Sequence, residues 1–441
     1  MPRTLNALIK ILVPILVLVV LILLLNAITA NDCINDVPGC LGDSGLNEDM
    51  AAFISIFLGV ILVASFPLLV AILLIWIERK FAARIQDRIG PNRVGPFGLI
   101  QPLADVVKLL GKEDIVPAGA DKWIFNAAPV VMVMSVLLIW AVIPFTPAHV
   151  GIDLEIGALY FVTVASIGTL SVIMAGWASN NKYALLGAFR VVAQLISYEV
   201  PLAISLLVPV MLAGSMSMVG IVEAQAGMWF VFAVPVSAFL FFISAQAETG
   251  RGPFDLLEAE SELVAGFNIE YSGMKFAMFF AGEFMHVFTN GVLMAVLFTG
   301  GWYGPFARDA HLLALIYLLL KTSFWYLLSL LMRNALPRVR IDQLMAFNWK
   351  FLVPLSIVNL LMVALLLKII QEVGLAPDNP SDFIENIPQT IILLLANIAL
   401  FLAVMTWIRI QIQEERSERE VAFDTAEQPE DSTRALPVAG H

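Results

Sequence analysis

The chain has 441 residues, of which 60% are hydrophobic and 14% charged, with a mean hydropathy of +0.88 and a formal net charge of −11. An ordinary soluble domain carries roughly 25% charged residues, so a soluble globular protein is excluded, and no nucleic-acid partner is expected. Divided by about 20 apolar residues per bilayer crossing, the length describes a polytopic membrane protein.

Ten apolar windows can cross a bilayer as helices, at about 8–27, 52–77, 124–145, 157–177, 185–213, 229–247, 274–299, 311–332, 348–372 and 389–409. They are continuous runs and not ten-residue alternating strands, so a barrel is excluded and the predicted fold is an all-α helix bundle. The chain divides into an N-terminal helix with an outer loop (1–51), a core (52–372), an outer loop with a further helix (373–410) and a charged tail (411–441). Basic residues gather on alternate loops: Arg3 and Lys10, eight in 78–122, Lys182 and Arg190, Arg251, then Arg333, Arg338, Arg340 and Lys350, and four from Arg409 onward. The other side has only Arg308. By the positive-inside bias both termini are expected in the cytoplasm of a bacterial-type cell membrane.

The first window, with Arg3 and Lys10 ahead of it and small residues over 27–30, also fits a signal peptide. The loop after it, NDCINDVPGCLGDSG, holds both cysteines, Cys33 and Cys40, either as a local disulfide or as two free thiols. Two thiols without a nearby histidine do not make a four-ligand zinc or iron–sulfur site. With four scattered histidines no haem or metal centre is indicated, so any electron carriers are expected on partner chains.

The loop from Ile77 to Asp114 contains GPNRVGPFG, where glycine permits positive φ and proline fixes φ near −65°. Leu99, Leu103, Val106, Val107 and Leu110 then repeat at helical spacing around Asp105 and Lys108, which predicts a short amphipathic helix at the membrane surface. Arg79, Lys80, Arg84, Arg88 and Arg93 serve equally as headgroup anchors. Anchoring alone leaves the glycines and prolines unexplained; a fixed backbone path suits a pocket or a docking face.

A second loop, PFDLLEAESELV, gathers Asp255, Glu258, Glu260 and Glu262 behind Arg251. Helical phase would place Asp255, Glu258 and Glu262 on one face and let Arg251 reach Asp255 at i+4. A solvated charged loop would show the same acids, but interleaved Leu256, Leu257, Leu263, Val264 and Phe267 favour packing, where clustered carboxylates share protons. Glu199, Glu283 and Lys321 lie inside apolar windows and Glu248 at the end of one. Each costs on the order of 2.5–3.5 kcal/mol at a helix centre, so each should face the bundle interior and find a partner. A structural Lys–Glu pair would account for one or two; four point to a proton or ion path. The tail, QEERSEREVAFDTAEQPEDSTRALPVAGH, is expected to be disordered or docked on another protein chain.

ERKFAARIQDRIGPNRVGPFGLIQPLADVVKLLGKED, YALLGAFRVVAQLISYE, PFDLLEAESELVAGFNIEY and PRVRIDQLMAFNWK resemble, in order and spacing from about 52 to 372, the family of membrane-arm heel and quinone-channel components of proton-pumping NADH:quinone oxidoreductase, respiratory complex I. The resemblance implies a heel component whose cytoplasmic loops meet peripheral-arm partners. Its helices would form part of a tunnel for quinone as substrate, with NADH, flavin and iron–sulfur clusters on other chains and lipid around it. It further implies that Arg79, Arg88, Asp105 and Arg251 lie at the tunnel and its adjacent loops. Glu248, Asp255, Glu258, Glu260 and Glu262 would form the acidic wall, and Glu199, Glu283 and Lys321 would begin a lateral proton-coupling chain.

The chain departs from the family pattern at Gly250, usually asparagine, at Ala259 in EAESE, usually EGESE, and in the LLM before Arg333, where an aromatic is usual. The terminal helices lie outside the shared region. Three other classes would use some of the same features: the heel of a membrane-bound hydrogenase or related dehydrogenase, a stand-alone ion-coupled transporter, and a structural anchor. A transporter would be expected to show inverted repeats and discontinuous helices, and an anchor leaves the buried charges unexplained.

Overall fold

The computed structural model describes residues 48–147, 150–255, 265–305, 307, 311–375, 377 and 382–427. The cysteine loop and the window at 8–27 lie outside these residues. The described chain is helical throughout its crossings: α1 (Glu48–Ile85), α2 (Gln101–Leu110), α3 (Lys122–Ile139), α4 (Gly157–Ala178), α5 (Lys182–Ala213), α6 (Met218–Ala224), α7 (Phe230–Ala233), α8 (Pro235–Glu248), α9 (Gly273–Phe298), α10 (His311–Ala335), α11 (Ile341–Phe347), α12 (Val353–Val373) and α13 (Phe383–Glu427). Eight stretches are long and apolar enough to cross a membrane, with α11 and α12 joined into one by a π-helical turn.

The window at 229–247 differs from expectation, because it is two helices and not one. Val234, at φ −130° and ψ 63°, separates α7 from α8, and Pro235 begins the second piece. Proline lacks the N–H that would continue the helix and is accommodated in a first turn. The first part of the tail is helical, since α13 continues through Glu427, and its Glu, Arg and Gln residues are good helix formers.

The bundle is organised around α9, 83% of whose apolar window is buried, against 11% for α13 at the periphery. α3 packs on α4, α4 on α5 and α5 on α8, while α9 lies against α1, α3 and α10. Small residues bring helices close. A Cβ on Gly176 would lie 2.3 Å from that of Ala188, so α4 and α5 touch almost backbone to backbone.

Loops meet in two sets. At one end Lys275 pairs with Asp114 at 2.8 Å, and Val339 donates its N–H to Pro253 O at 3.0 Å. At the other Ser217 Oγ donates to Asp153 at 2.5 Å, and Gly300 N–H to Gln225 Oε1 at 2.8 Å. Each set joins loops that the alternating topology assigns to one side.

Candidate functional site: a carboxylate cavity and its charged mouth

The loop after α1 folds back on itself. Positive φ at Gly95, Phe97 and Gly98 makes the turn, and Trp76 Nε1 donates to Phe97 O at 3.2 Å. A Cβ on Gly98 would meet Pro91 O at 2.3 Å, so this path requires glycine there. Arg79 then reaches Asp105 at 2.6 Å, with Lys108 on the same carboxylate at 3.3 Å, fixing α2 to the end of α1. Burial alone would raise the Asp105 carboxyl. The hydrogen bond and charge of Arg79, joined by Lys108, outweigh it and hold the group below its ordinary 3.8. Leu103, Val107 and Leu110 stay exposed along α2, an apolar face suited to lipid or a partner. Arg88, by contrast, is exposed and donates to Gln86 at 2.6 Å.

At the same end Arg251 finds a partner that sequence spacing did not suggest. Residues 251–255 form a turn and not a helix, so the i+4 argument toward Asp255 does not apply. Arg251 pairs with Glu78 of α1 at 2.6 Å and lays its guanidinium over the Phe284 ring at 4.1 Å. Arg333, from the end of α10, binds the other oxygen of Glu78. One nearly buried carboxylate therefore joins three segments. Asp255 is half-buried beside this cluster in sequence, while Glu258, Glu260 and Glu262 lie outside the described residues.

Glu248 ends α8 and lines a partly open cavity of about 30 Å³ together with Glu283, His286, Thr169, Thr249 and apolar side chains such as Met132 and Val172. That volume accommodates a water molecule. Glu248 Oε2 and His286 Nδ1 are buried and have no hydrogen-bond partner among the described residues. Glu199, half-buried on α5, accepts a hydrogen bond from Ser166 and lies near enough to act electrostatically on Glu248. Gln194, 1% exposed, donates through Nε2 to Ala247 O at 2.7 Å and Phe254 O at 2.9 Å, holding the end of α8 to the following turn.

Lys321 is not among the residues lining this cavity. Its ammonium donates to Gly301 O at 3.0 Å and Tyr303 O at 2.7 Å and sits over the Trp229 ring at 4.8 Å. No carboxylate forms an ion pair with it among the described residues, so the Lys–Glu pairing considered from sequence is replaced by carbonyl and ring contacts.

Glu78, Gln194 and His286 were not singled out from sequence. Glu78 was masked by the basic residues that follow it, and Gln194 reads as one polar residue on an apolar helix. His286 carried a usable signal, because it follows Glu283 at i+3 and shares its helix face.

Residues 56–364 match the family model described as NADH dehydrogenase. The chain is 45% identical over 334 residues to the H subunit of NADH-quinone oxidoreductase from Dehalococcoides mccartyi, covering 74% of this chain and 89% of that one. It is 47% identical over 329 residues to the first of the H subunits of NADH-quinone oxidoreductase from Geobacter metallireducens (72% and 98%), and 48% identical over 321 to the second of those from Syntrophobacter fumaroxidans (70% and 95%). With more than half of its length matched by one family model and relatives of this identity covered nearly end to end, the chain belongs to the NADH dehydrogenase family.

Proposed function

We propose that the chain works as the heel component of the membrane arm in a proton-translocating NADH:quinone oxidoreductase, and that its carboxylate cavity couples quinone reduction to proton movement. The observation that carries this reading is the convergence of Glu248, Glu283 and His286 on one cavity large enough for water, with Glu199 close by. Carboxyl groups sharing a cavity titrate as a set, so a proton given to one is available to the next. Neutral imidazole both donates and accepts hydrogen bonds, which lets His286 join that exchange without adding a charge.

Reduction of a quinone by two electrons takes up two protons. An acidic loop of Asp255, Glu258, Glu260 and Glu262 next to the quinone path would feel that demand through its own protonation. The Glu78, Arg251 and Arg333 cluster supports this reading by tying the start of the same loop to α1 and α10. Arg79, Arg88 and Asp105 belong to the neighbouring loop, which we assign to the quinone entrance and the docking of peripheral-arm partners. Lys321 would continue the charge path toward adjoining membrane-arm chains, with NADH, flavin and iron–sulfur clusters on partner chains and the whole complex in a bacterial cell membrane.

Membranes carrying Glu248→Gln or Glu262→Gln, with assembly of the complex verified, test this. Coupled quinone reductase activity and proton pumping should fall together, about 10²-fold or more for a group that handles the proton directly. Full coupled turnover in an assembled Glu248→Gln complex would remove the cavity from the proton path.

A further inference from the structure

The interrupted crossing leaves backbone groups that need partners, and one of the two amide side chains at the restart of the helix comes from outside the family-matched region. The first turn of α8 begins at Pro235, and the N–H groups of a first helical turn have no partner within their own helix. Val236 N–H donates to Asn397 Oδ1 at 3.3 Å, and Asn397 Nδ2 in turn donates to Leu393 O at 2.9 Å on its own helix. One residue further on, Ser237 Oγ accepts from Asn359 Nδ2 of α12 at 2.6 Å. Both asparagines are fully buried. Asn397 belongs to α13, whereas the family match ends at residue 364.

The rest of α13 explains how that asparagine is delivered. Thr390, Leu393 and Asn397 are the buried residues of its apolar stretch and fall at i, i+3 and i+7 on one face. Ile391, Leu395, Ile398, Phe401 and Leu402 are about half exposed or more, as a lipid-facing side requires. The helix thus docks by a narrow stripe whose one amide side chain lies at the break in its neighbour.

We infer that Asn397, with Asn359, is a positioning residue that clamps the start of α8 and thereby fixes the level of Glu248 at its other end. α8 spans 14 residues, about 20 Å of helix at 1.5 Å per residue, and it is too short to bend appreciably. Its carboxyl end is held by Gln194 through Ala247 O and by Asn290 through Ala245 O, so a hold on its start fixes this short rod at both ends. Val234 still links the two pieces, donating to Phe230 O and accepting from Ala238 N–H; the two asparagines hold the Val236 N–H and the Ser237 hydroxyl that this ladder leaves over. The consequence for turnover rests on the role proposed for Glu248, whereas the clamp itself does not.

The test uses the assembled complex with Asn397→Leu, Asn397→Asp, which keeps an oxygen at that place, and Leu395→Ala as a lipid-facing control. Amide hydrogen exchange over 230–238 should accelerate in N397L and stay unchanged in the control, with exchange over 273–298 unaltered in both. One interhelical hydrogen bond corresponds to about a three- to twentyfold effect. The quinone-reductase kcat of N397L should fall by that factor at constant KM and recover in N397D. Unchanged exchange and unchanged kcat in N397L overturn the proposal. So does failure of both N397L and the milder N397A to assemble while the control assembles, since Asn397 would then be a structural anchor. If Glu248→Gln leaves turnover intact, the functional reading fails by itself, and exchange over 230–238 still decides whether the clamp exists.

Discussion

Glu78 faces two guanidinium groups from an almost dry position, its side chain 11% exposed and that of Arg251 7%. A buried ion pair adds little net stability while intact, because desolvation offsets attraction, but removing one partner strands the other. Glu78→Gln preserves shape and withdraws one carboxylate from both Arg251 and Arg333, so a loss of about 3–5 kcal/mol is expected. The measurement is the thermal inactivation of the assembled complex, with Glu78→Gln/Arg251→Gln as the partner variant. The double variant should recover most of the loss; a Glu78→Gln complex inactivating at the wild-type temperature would mean that water already screens the cluster. Helical phase marks Arg251 as a residue in need of a carboxylate but does not reach Glu78, because an i+4 rule holds only on a helix, and residues 251–255 turn. It missed Glu78 because contact across 173 positions leaves no local trace.

Among the elements, α2 shows what pattern can and cannot convey. Its apolar repeat and the glycine–proline turn before it were both legible, and the structure adds that Phe97 shares the positive φ expected of glycine. What pattern could not convey is the tether from Asp105 to Arg79. An Asp105 carboxyl held below its ordinary 3.8 is ionised in the folded protein under conditions that would protonate it in the unfolded chain. Its contribution is therefore fully present above that ordinary value and is lost as pH falls through the lower, folded one. Exchange protection of α2, corrected for intrinsic rates, should stay flat from about pH 5 to 8, and Arg79→Gln should lower it by the ~0.2–1 kcal/mol of a partly exposed pair. A tether weakening steadily between pH 5 and 8 would point to a different group. The break at Val234 was illegible for a related reason: hydropathy averages over a window, and a window cannot register one residue at φ −130°. Discontinuity was the mark expected of a transporter. Here amide side chains, Asn397 and Asn359, meet the first turn after the break, in keeping with a helix start being clamped.

For the whole molecule, the two sets of loop contacts make orientation a single question. The Arg251, Arg333 and Asp114 loops share one end of the bundle with α2, and the Asp153, Gln225 and Gly300 loops share the other. Basic residues crowd the first end, with Arg79 and Arg84 in the last turns of α1, Arg88 and Arg93 on the loop after it and Arg338 and Arg340 on another, so the positive-inside bias predicts that this end faces the cytoplasm. Single cysteines at Asn92 and Asp153, in a background with Cys33 and Cys40 replaced by serine, resolve the matter with a membrane-impermeant maleimide. Asp153→Cys should label in intact cells and Asn92→Cys only in inverted vesicles. The reverse pattern would set the peripheral-arm docking face on the wrong side of the membrane, and the assignment of Arg79, Arg88 and Asp105 to the quinone entrance would fall with it. Because one contact network ties all the inner loops together, these two positions are enough: no crossing between them can be inverted without breaking Lys275 from Asp114 and Arg251 from Glu78.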